Sequence, residues 1–200
     1  GALNLFGGLS LPLALVFGAL IAATDPVSVL AIFRRLGVPK RLEVLLEAES
    51  LFNDGTAIVL FNLALAGALS GAFHLWEGAF NFLWVSAGGL ALGLALGWIT
   101  AQLLARVDDY LVETTLTTVV AFGSYLLAEQ LHVSGVLAVL AAGLVTGSLG
   151  TRGMSPTTRI VVFNFWEYAA FLANSAVFLL IGLHIDLALL AASWPLILLA

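Results

Sequence analysis

Long apolar stretches alternate along the chain with short clusters of charged residues, glycine and proline. A run of about 20 apolar residues is typical of a helix that crosses a membrane. The runs cover residues 9–23 with a continuation at 27–36, then 42–69, 78–105, 110–131, 133–149 and 160–183, and a last run occupies 187–200. The pattern predicts an all-helical, polytopic membrane bundle of about six or seven helices, the first of which is discontinuous.

The composition excludes an ordinary soluble domain. Of 200 residues, 62% are hydrophobic and 10% are charged, and the mean hydropathy is +1.11. Soluble domains have roughly 25% charged and 45–50% apolar residues, so a soluble fold could not cover this much apolar surface. The chain has no cysteine, which excludes disulfides and thiolate metal sites. We expect no cofactor, no resident metal and no nucleic-acid partner.

The basic residues test the predicted spans, because Lys and Arg concentrate in cytoplasmic loops. They follow the first, third and fifth runs, and all fall on one side if each run crosses once. They are Arg34, Arg35, Lys40, Arg41, Arg106, Arg152 and Arg159. That side is therefore assigned as cytoplasmic.

Glycines in the run 78–105 form a stripe of small residues at four-residue spacing. The stripe consists of Gly88, Gly89, Gly93 and Gly97. Such spacing allows two helices to approach closely in lipid, so the stripe predicts a packing face.

The segment Thr24-Asp25-Pro26 interrupts the first run. Proline cannot donate to the helix ladder, and it disfavours helical geometry at the preceding Asp25. Threonine or aspartate ahead of proline is also a helix-start signature, so we expect two half-helices joined by an unwound segment. Such a break must be buried in protein or line a wet cavity, and transporters place broken helices at substrate sites. Asp25 is therefore a helix cap, an ion-site residue or both.

Four polar residues lie in the middle of the run 42–69: Glu49, Ser50, Asn53 and Asp54. Asp54 lies thirteen residues beyond Arg41, roughly 20 Å along the axis and well inside a hydrocarbon core about 30 Å thick. A carboxylate at this depth is neutralised by a proton or by a cation, which makes exchange possible. Oxygen groups of Ser50, Asn53 and the backbone near Thr24 suit a hard cation such as sodium. The alternative is a polar cluster that only joins helices.

Three segments carry a family resemblance. They are Ala23-Thr24-Asp25-Pro26-Val27, Arg34-Arg35-Leu36-Gly37-Val38-Pro39-Lys40-Arg41 and Glu49-Ser50-Leu51-Phe52-Asn53-Asp54. They resemble the cation:proton antiporter-1 family, specifically its NhaP-type sodium/proton antiporters. Further similarity lies in 108–117, 133–139 and 174–183, so the resemblance covers nearly the whole chain.

The resemblance implies sodium/proton exchange by alternating access. Asp54 matches the acid that binds sodium and protons in turn. Ser50 matches a side-chain ligand of the ion, and Thr24 matches a position that gives it a backbone carbonyl.

The same resemblance implies roles for three further residues. Asn53 matches the partner of the aspartate in the asparagine–aspartate pair typical of electroneutral exchange. Asp25 matches the acid at the crossing of two broken helices, where it balances half-helix dipoles or approaches the ion. Glu49 matches a residue that pairs with an arginine on a later helix, and that arginine is expected beyond Ala200.

The domain organisation implied by the resemblance is a partial transporter domain. Residues 9–69 would form the ion-binding core, and 78–200 would form linking and scaffold helices. Further helices are expected before Gly1 and after Ala200, including a second broken helix. The full-length protein is expected to be a multi-pass homodimer in the lipid bilayer of the cell membrane, with sodium or another monovalent cation and protons as ligands.

Other functions remain open from the residues alone. A cation channel predicts a continuous polar pathway, whereas polarity here is concentrated on two helices. An intramembrane hydrolase would use Ser134 or Ser175 as nucleophile and His132 or His184 as base, but these histidines fall in outward loops, where an interfacial position is favoured. A purely structural subunit leaves two buried acids unexplained. We therefore expect a transporter and not an enzyme.

Overall fold

The computed structural model describes residues 11–70 and 75–185, and every regular element within these ranges is helical. In chain order the helices are α1 (Leu11–Ala22), α2 (Val27–Leu36), α3 (Lys40–Ser70), α4 (Leu75–Leu104), α5 (Tyr110–Gln130), α6 (Gly135–Leu149) and α7 (Pro156–His184), with a short 3₁₀ turn at Gly150–Arg152. The predicted all-helical bundle with a discontinuous first helix is confirmed. The last predicted run, 187–200, lies outside the described residues.

Six segments of the described residues are long and apolar enough to cross a membrane, and α1 and α2 together form the first of them. The other five correspond to α3 to α7. Large apolar side chains cover the outside of these helices, as at Phe171 and Leu183, which are 65% and 73% exposed. Such a surface is expected where lipid takes the place of water. The chain is a multi-pass integral membrane protein.

Helix ends are marked by capping residues that the sequence supplies locally. Gly37 ends α2 in a left-handed conformation (φ 67°) and donates its N–H to the Phe33 carbonyl. Glycine adopts this conformation without the strain that a Cβ would cause. The side chains of Asp109 and Ser155 accept hydrogen bonds from backbone N–H groups in the first turns of α5 and α7. These bonds satisfy donors that have no partner within the helix.

The connectors that carry Lys and Arg lie at one end of the bundle, called the basic end below, because successive spans alternate in direction. Close packing joins two of these connectors: a Cβ added to Gly153 would lie 2.8 Å from the Ala105 Cα. At the same end, Arg34 at the end of α2 lies 3.9 Å from Glu43 and 3.9 Å from Glu47 on α3. These contacts are at the surface, where an ion pair contributes little to stability.

The glycine stripe of α4 packs against α6, as the spacing predicted. A Cβ added to Gly97 would lie 2.8 Å from the Ala142 carbonyl oxygen, and one added to Gly93 would overlap the Ala138 carbonyl. Each four-residue step on α4 matches a four-residue step on α6, so the two helices run parallel in constant register. Small residues thus let the two backbones approach closely.

The helices pack in two groups. Helix α1 packs mainly on α3, whereas α4 packs mainly on α6, which also contacts α5. Contacts of α3 with α4 and α6 are fewer. All six of the polar residues singled out from the sequence lie on α3 or in the break between α1 and α2.

Candidate functional site

Residues 23–26 are not helical and separate α1 from α2 within the first span. Pro26 has no N–H to donate, and the Asp25 side chain accepts a hydrogen bond of 3.0 Å from the Val27 N–H. Helix α2 then begins with a bond of 2.8 Å from the Leu30 N–H to the Pro26 carbonyl. The predicted break is present, and Asp25 acts as a cap for the second half-helix.

Two side chains of α3 bind the unwound backbone at Thr24. The Thr24 N–H donates to Asp54 Oδ1 at 3.1 Å, and the Ser50 hydroxyl donates to the Thr24 carbonyl oxygen. Ser50 is 5% exposed and Asp54 is half-buried. Residues four apart share one face of a helix, so both side chains point at the break. Thr24, Ser50 and Asp54 are called the break cluster below.

Glu49 and Asn53 lie on a neighbouring flank of α3 and bind each other. The Asn53 side-chain amide donates to Glu49 Oε1 at 3.0 Å. Neither residue is hydrogen-bonded to the break cluster within the described part of the chain. Glu49, for which an arginine partner was expected beyond Ala200, therefore has a partner one turn away on its own helix.

The break cluster lies at the middle of the membrane-spanning helices. Helix α3 has 31 residues, a length of about 46 Å, and Asp54 lies near its midpoint. The hydrocarbon core of a bilayer is about 30 Å thick, so the midpoint of a spanning helix is far from both aqueous phases. The break between α1 and α2 at this level leaves backbone N–H and carbonyl groups without helical partners, and lipid cannot form hydrogen bonds with them.

The break cluster combines one acid with neutral oxygen groups. The carboxylate of Asp54, the hydroxyl of Ser50 and the carbonyl of Thr24 are the oxygen donors that hard cations prefer. The carbonyl end of α1 also carries partial negative charge, while the N–H end of α2 carries partial positive charge. A proton on Asp54 and a small cation beside it are two ways to neutralise the same charge.

The residues considered for hydrolysis are not assembled into a catalytic pair. Ser134 accepts a hydrogen bond of 3.3 Å from the Leu137 N–H as the cap of α6. His184 has its Nδ1 atom 2.9 Å from the Leu180 carbonyl. Among the described residues no hydrogen bond joins either histidine to Ser134 or Ser175.

A polar cavity that the sequence did not indicate lies towards the end opposite the basic end. Its volume is about 330 Å³, and its polar lining includes Asn62, Asn81, Tyr125, Glu129 and Ser134. Asn62 lies two helical turns after Asp54 on α3. This spacing was the one feature of the sequence that could have indicated a second polar site on the same helix. The other lining residues come from α4, α5 and α6, so only the tertiary structure brings them together.

A second feature missed from the sequence is Glu113. This acid lies in the first turn of α5 and is completely buried (0% exposed). Acids in the first turn of a helix are common because they interact favourably with the helix dipole. The position therefore gave no signal that this carboxyl group is enclosed.

Comparison with known proteins gives a consistent result. The family model described as "Sodium/hydrogen exchanger, transmembrane" matches residues 1–200. The Na(+)/H(+) antiporter ApNhaP of Aphanothece halophytica is 50% identical over 98% of this chain. The low-affinity Na(+)/H(+) antiporter NhaS1 of Synechocystis sp. is 46% identical over 99% of it, and the Na(+)/H(+) antiporter NhaG of Bacillus atrophaeus is 45% identical over 96%. The chain spans 38% of the length of each of these relatives.

Proposed function

Because this chain belongs to the sodium/hydrogen exchanger family of membrane proteins, we propose that the full-length protein exchanges sodium, or another monovalent cation, for protons. Asp54 binds the two ligands in turn. The observation that carries the proposal is the convergence of Ser50 and Asp54 on the Thr24 backbone at the break in the first span. The named relatives are sodium/proton antiporters, which supports the same conclusion.

The chemistry of exchange follows from the single charge of the break cluster. An ionised Asp54 in the middle of a bilayer without a counter-charge is costly, so the empty charged state is unfavourable. A proton or a cation removes this cost, but the two compete for the same oxygens. Each time the site changes from facing one side of the membrane to facing the other, Asp54 therefore carries either a proton or a cation.

Ser50 and Thr24 can both serve a cation while they contact each other. The Ser50 hydroxyl donates to the Thr24 carbonyl, but the hydroxyl oxygen and the carbonyl oxygen each keep lone pairs that can face a cation beside Asp54. The Thr24 N–H continues to hold the carboxylate in position.

The remaining candidate residues, Asp25, Asn53 and Glu49, lie next to the break cluster. Asp25 caps α2 and places a second negative charge next to the break, where it balances the positive end of that half-helix. Asn53 and Glu49 bind each other on the adjacent flank. We assign them to positioning Asp54, with an arginine outside this chain as the further partner of Glu49.

The wider organisation follows the same proposal. Residues 9–69 form the ion-binding core, and 78–200 form linking and scaffold helices against which the core moves. The sparse packing of α3 on α4 and α6, compared with that of α1 on α3, supports this division. The full-length protein would work as a homodimer in the cell membrane, with cations and protons as ligands and lipid around it.

The proposal is tested by proton flux in liposomes that contain the full-length protein and an internal pH indicator. Addition of sodium, lithium or potassium to separate samples should drive proton movement in the wild type with at least one cation. Asp54→Asn should abolish this movement, whereas Asp108→Asn in an exposed connector should preserve it. Retained exchange in Asp54→Asn would refute the assignment, and cation flux without counter-movement of protons would indicate a channel.

A further inference from the structure

Glu113 on α5 is a buried acid that the proposed exchange does not use. It is 0% exposed, and neither of its carboxyl oxygens has a hydrogen-bond partner among the described residues. Asp54, by comparison, is half-buried and accepts a bond from Thr24. Glu113 is thus more completely enclosed than the acid to which we assign exchange.

The elements packed around α5 provide no charge to balance Glu113. Helix α6 has no ionisable residue, and α4 has only Glu77, at the end opposite the basic end. The other ionisable groups on α7 and on the connectors of the basic end are Arg106, Asp108, Asp109, Arg152, Arg159, Glu167, Tyr168 and His184, all of them exposed. Within the described part of the chain none of these side chains forms an ion pair or hydrogen bond with Glu113, and the one polar group close to its carboxyl group is the Asp109 backbone N–H.

A partner from elsewhere in the protein cannot reach this carboxyl group in the observed packing. The described helices alone reduce its exposure to zero, so a further side chain would have to displace one of them. An ionised carboxylate without a counter-charge or hydrogen bonds is far more costly in such a place than a protonated one.

A second unpartnered polar group lies at the same level of the bundle. The hydroxyl of Thr146 on α6 is also buried without a hydrogen-bond partner among the described residues. Helices α5 and α6 are antiparallel, and Tyr125 packs against Gly135, where an added Cβ would lie 2.7 Å from the ring. The same pairing brings the first turn of α5 to the level of the last turn of α6, which contains Thr146. A protonated carboxyl group can donate a hydrogen bond to a hydroxyl, whereas a carboxylate cannot.

We propose that Glu113 is a second proton-binding site, buried near the basic end and separate from Asp54. It carries a proton while α4, α5, α6 and α7 pack as they do here. Ionisation of Glu113 requires water or a cation to enter between these helices, so alkaline pH at the basic end loosens their packing. The site does not depend on exchange at Asp54, and it is tested in a protein in which Asp54 is neutral.

Infrared spectroscopy tests the protonation directly in the full-length Asp54→Asn protein at neutral pH. Glu113→Gln in this background should remove a carbonyl-stretch band of a protonated carboxylic acid, seen as the difference between the two spectra. The matched control Glu77→Gln, at an exposed acid in the first turn of α4 at the end of that span, should leave the band in place. A difference spectrum without such a band for Glu113→Gln would overturn the proposal.

Thermal unfolding of the same proteins gives an independent measurement. A folded state that binds one more proton than the unfolded state loses stability as the pH rises. The Tm of the parent should therefore fall between neutral and alkaline pH by more than the Tm of Glu113→Gln, which has no proton to release. Equal pH dependence in both proteins would overturn the proposal. If Glu113→Gln does not fold, Glu113→Met provides a neutral side chain of similar volume, and failure of both to fold would also contradict a neutral Glu113.

Discussion

The backbone N–H of Thr24 and the side chain of Asp54, thirty residues apart in the chain, are joined by a hydrogen bond of 3.1 Å. The acid assigned to ligand binding therefore also holds the unwound segment between α1 and α2. A carboxylate is a stronger acceptor than a protonated carboxyl group. Occupancy of Asp54 by a proton or a cation should thus change how firmly the break is held, which links ligand binding to the geometry of the first span.

Removal of the Ser50 hydroxyl tests whether this side chain is a ligand. Ser50→Ala should raise the cation concentration needed for half-maximal exchange by about fivefold, which corresponds to a hydrogen bond of about 1 kcal/mol. Exchange driven by sodium across a concentration series measures the effect. Ser28→Ala, at an exposed serine of α2, should leave the half-saturating concentration unchanged. An unchanged value in Ser50→Ala would remove Ser50 from the ion site.

Substitutions at Asp25 separate its capping role from its charge. Asparagine retains an acceptor oxygen for the Val27 N–H, so Asp25→Asn should keep the stability of the wild type while it lowers the exchange rate. Asp25→Ala loses the cap as well and should cost a further ~1 kcal/mol of stability. Thermal unfolding and proton flux are measured on both variants. Wild-type exchange in Asp25→Asn would show that Asp25 is a cap alone.

Glu49 should matter more for folding than for ion affinity. Glu49→Ala leaves the Asn53 amide without its acceptor and should cost about 1 kcal/mol of stability from this bond alone. The Tm and the half-saturating cation concentration are compared with those of Glu47→Ala, which removes an exposed partner of Arg34. A variant of normal stability with a shifted half-saturating concentration would contradict this role.

The glycine stripe predicts a position-specific loss of stability. An added Cβ at Gly97 would lie 2.8 Å from the Ala142 carbonyl oxygen, so Gly97→Ala should force α4 and α6 apart and cost about 1–3 kcal/mol. At Gly143 nothing lies within 4 Å of an added Cβ, and Gly143→Ala should be neutral or slightly stabilising. Unfolding of the two variants in detergent provides the comparison. Equal stability would show that α4 and α6 do not pack this closely.

The membrane-spanning helices and the break between α1 and α2 were predictable because their causes are local. A helix that crosses lipid needs about 20 apolar residues, and the predicted run 42–69 corresponds to α3 at Lys40–Ser70. Proline lacks an N–H wherever it occurs, so Pro26 removes a hydrogen bond from the first span whatever packs around it. The depth of Asp54 follows from its distance along α3 in the same way.

The partners of the polar side chains were decided by the tertiary structure. The sequence assigned Thr24 a carbonyl role through family resemblance, whereas the packing of α1 on α3 engages both its carbonyl and its N–H. Glu49 accepts a hydrogen bond from Asn53 on its own helix, a contact that the sequence did not indicate, while the arginine expected beyond Ala200 stays a prediction.

Glu113 is the clearest case of a polar side chain whose surroundings the sequence did not indicate. In the sequence it is an ordinary acid of a first helical turn, and only the helices packed against α5 enclose it. Local chemistry in the sequence therefore determined which segments span the membrane and where one of them breaks. The contacts between helices decided which polar groups meet, because those contacts depend on side chains far apart in the chain.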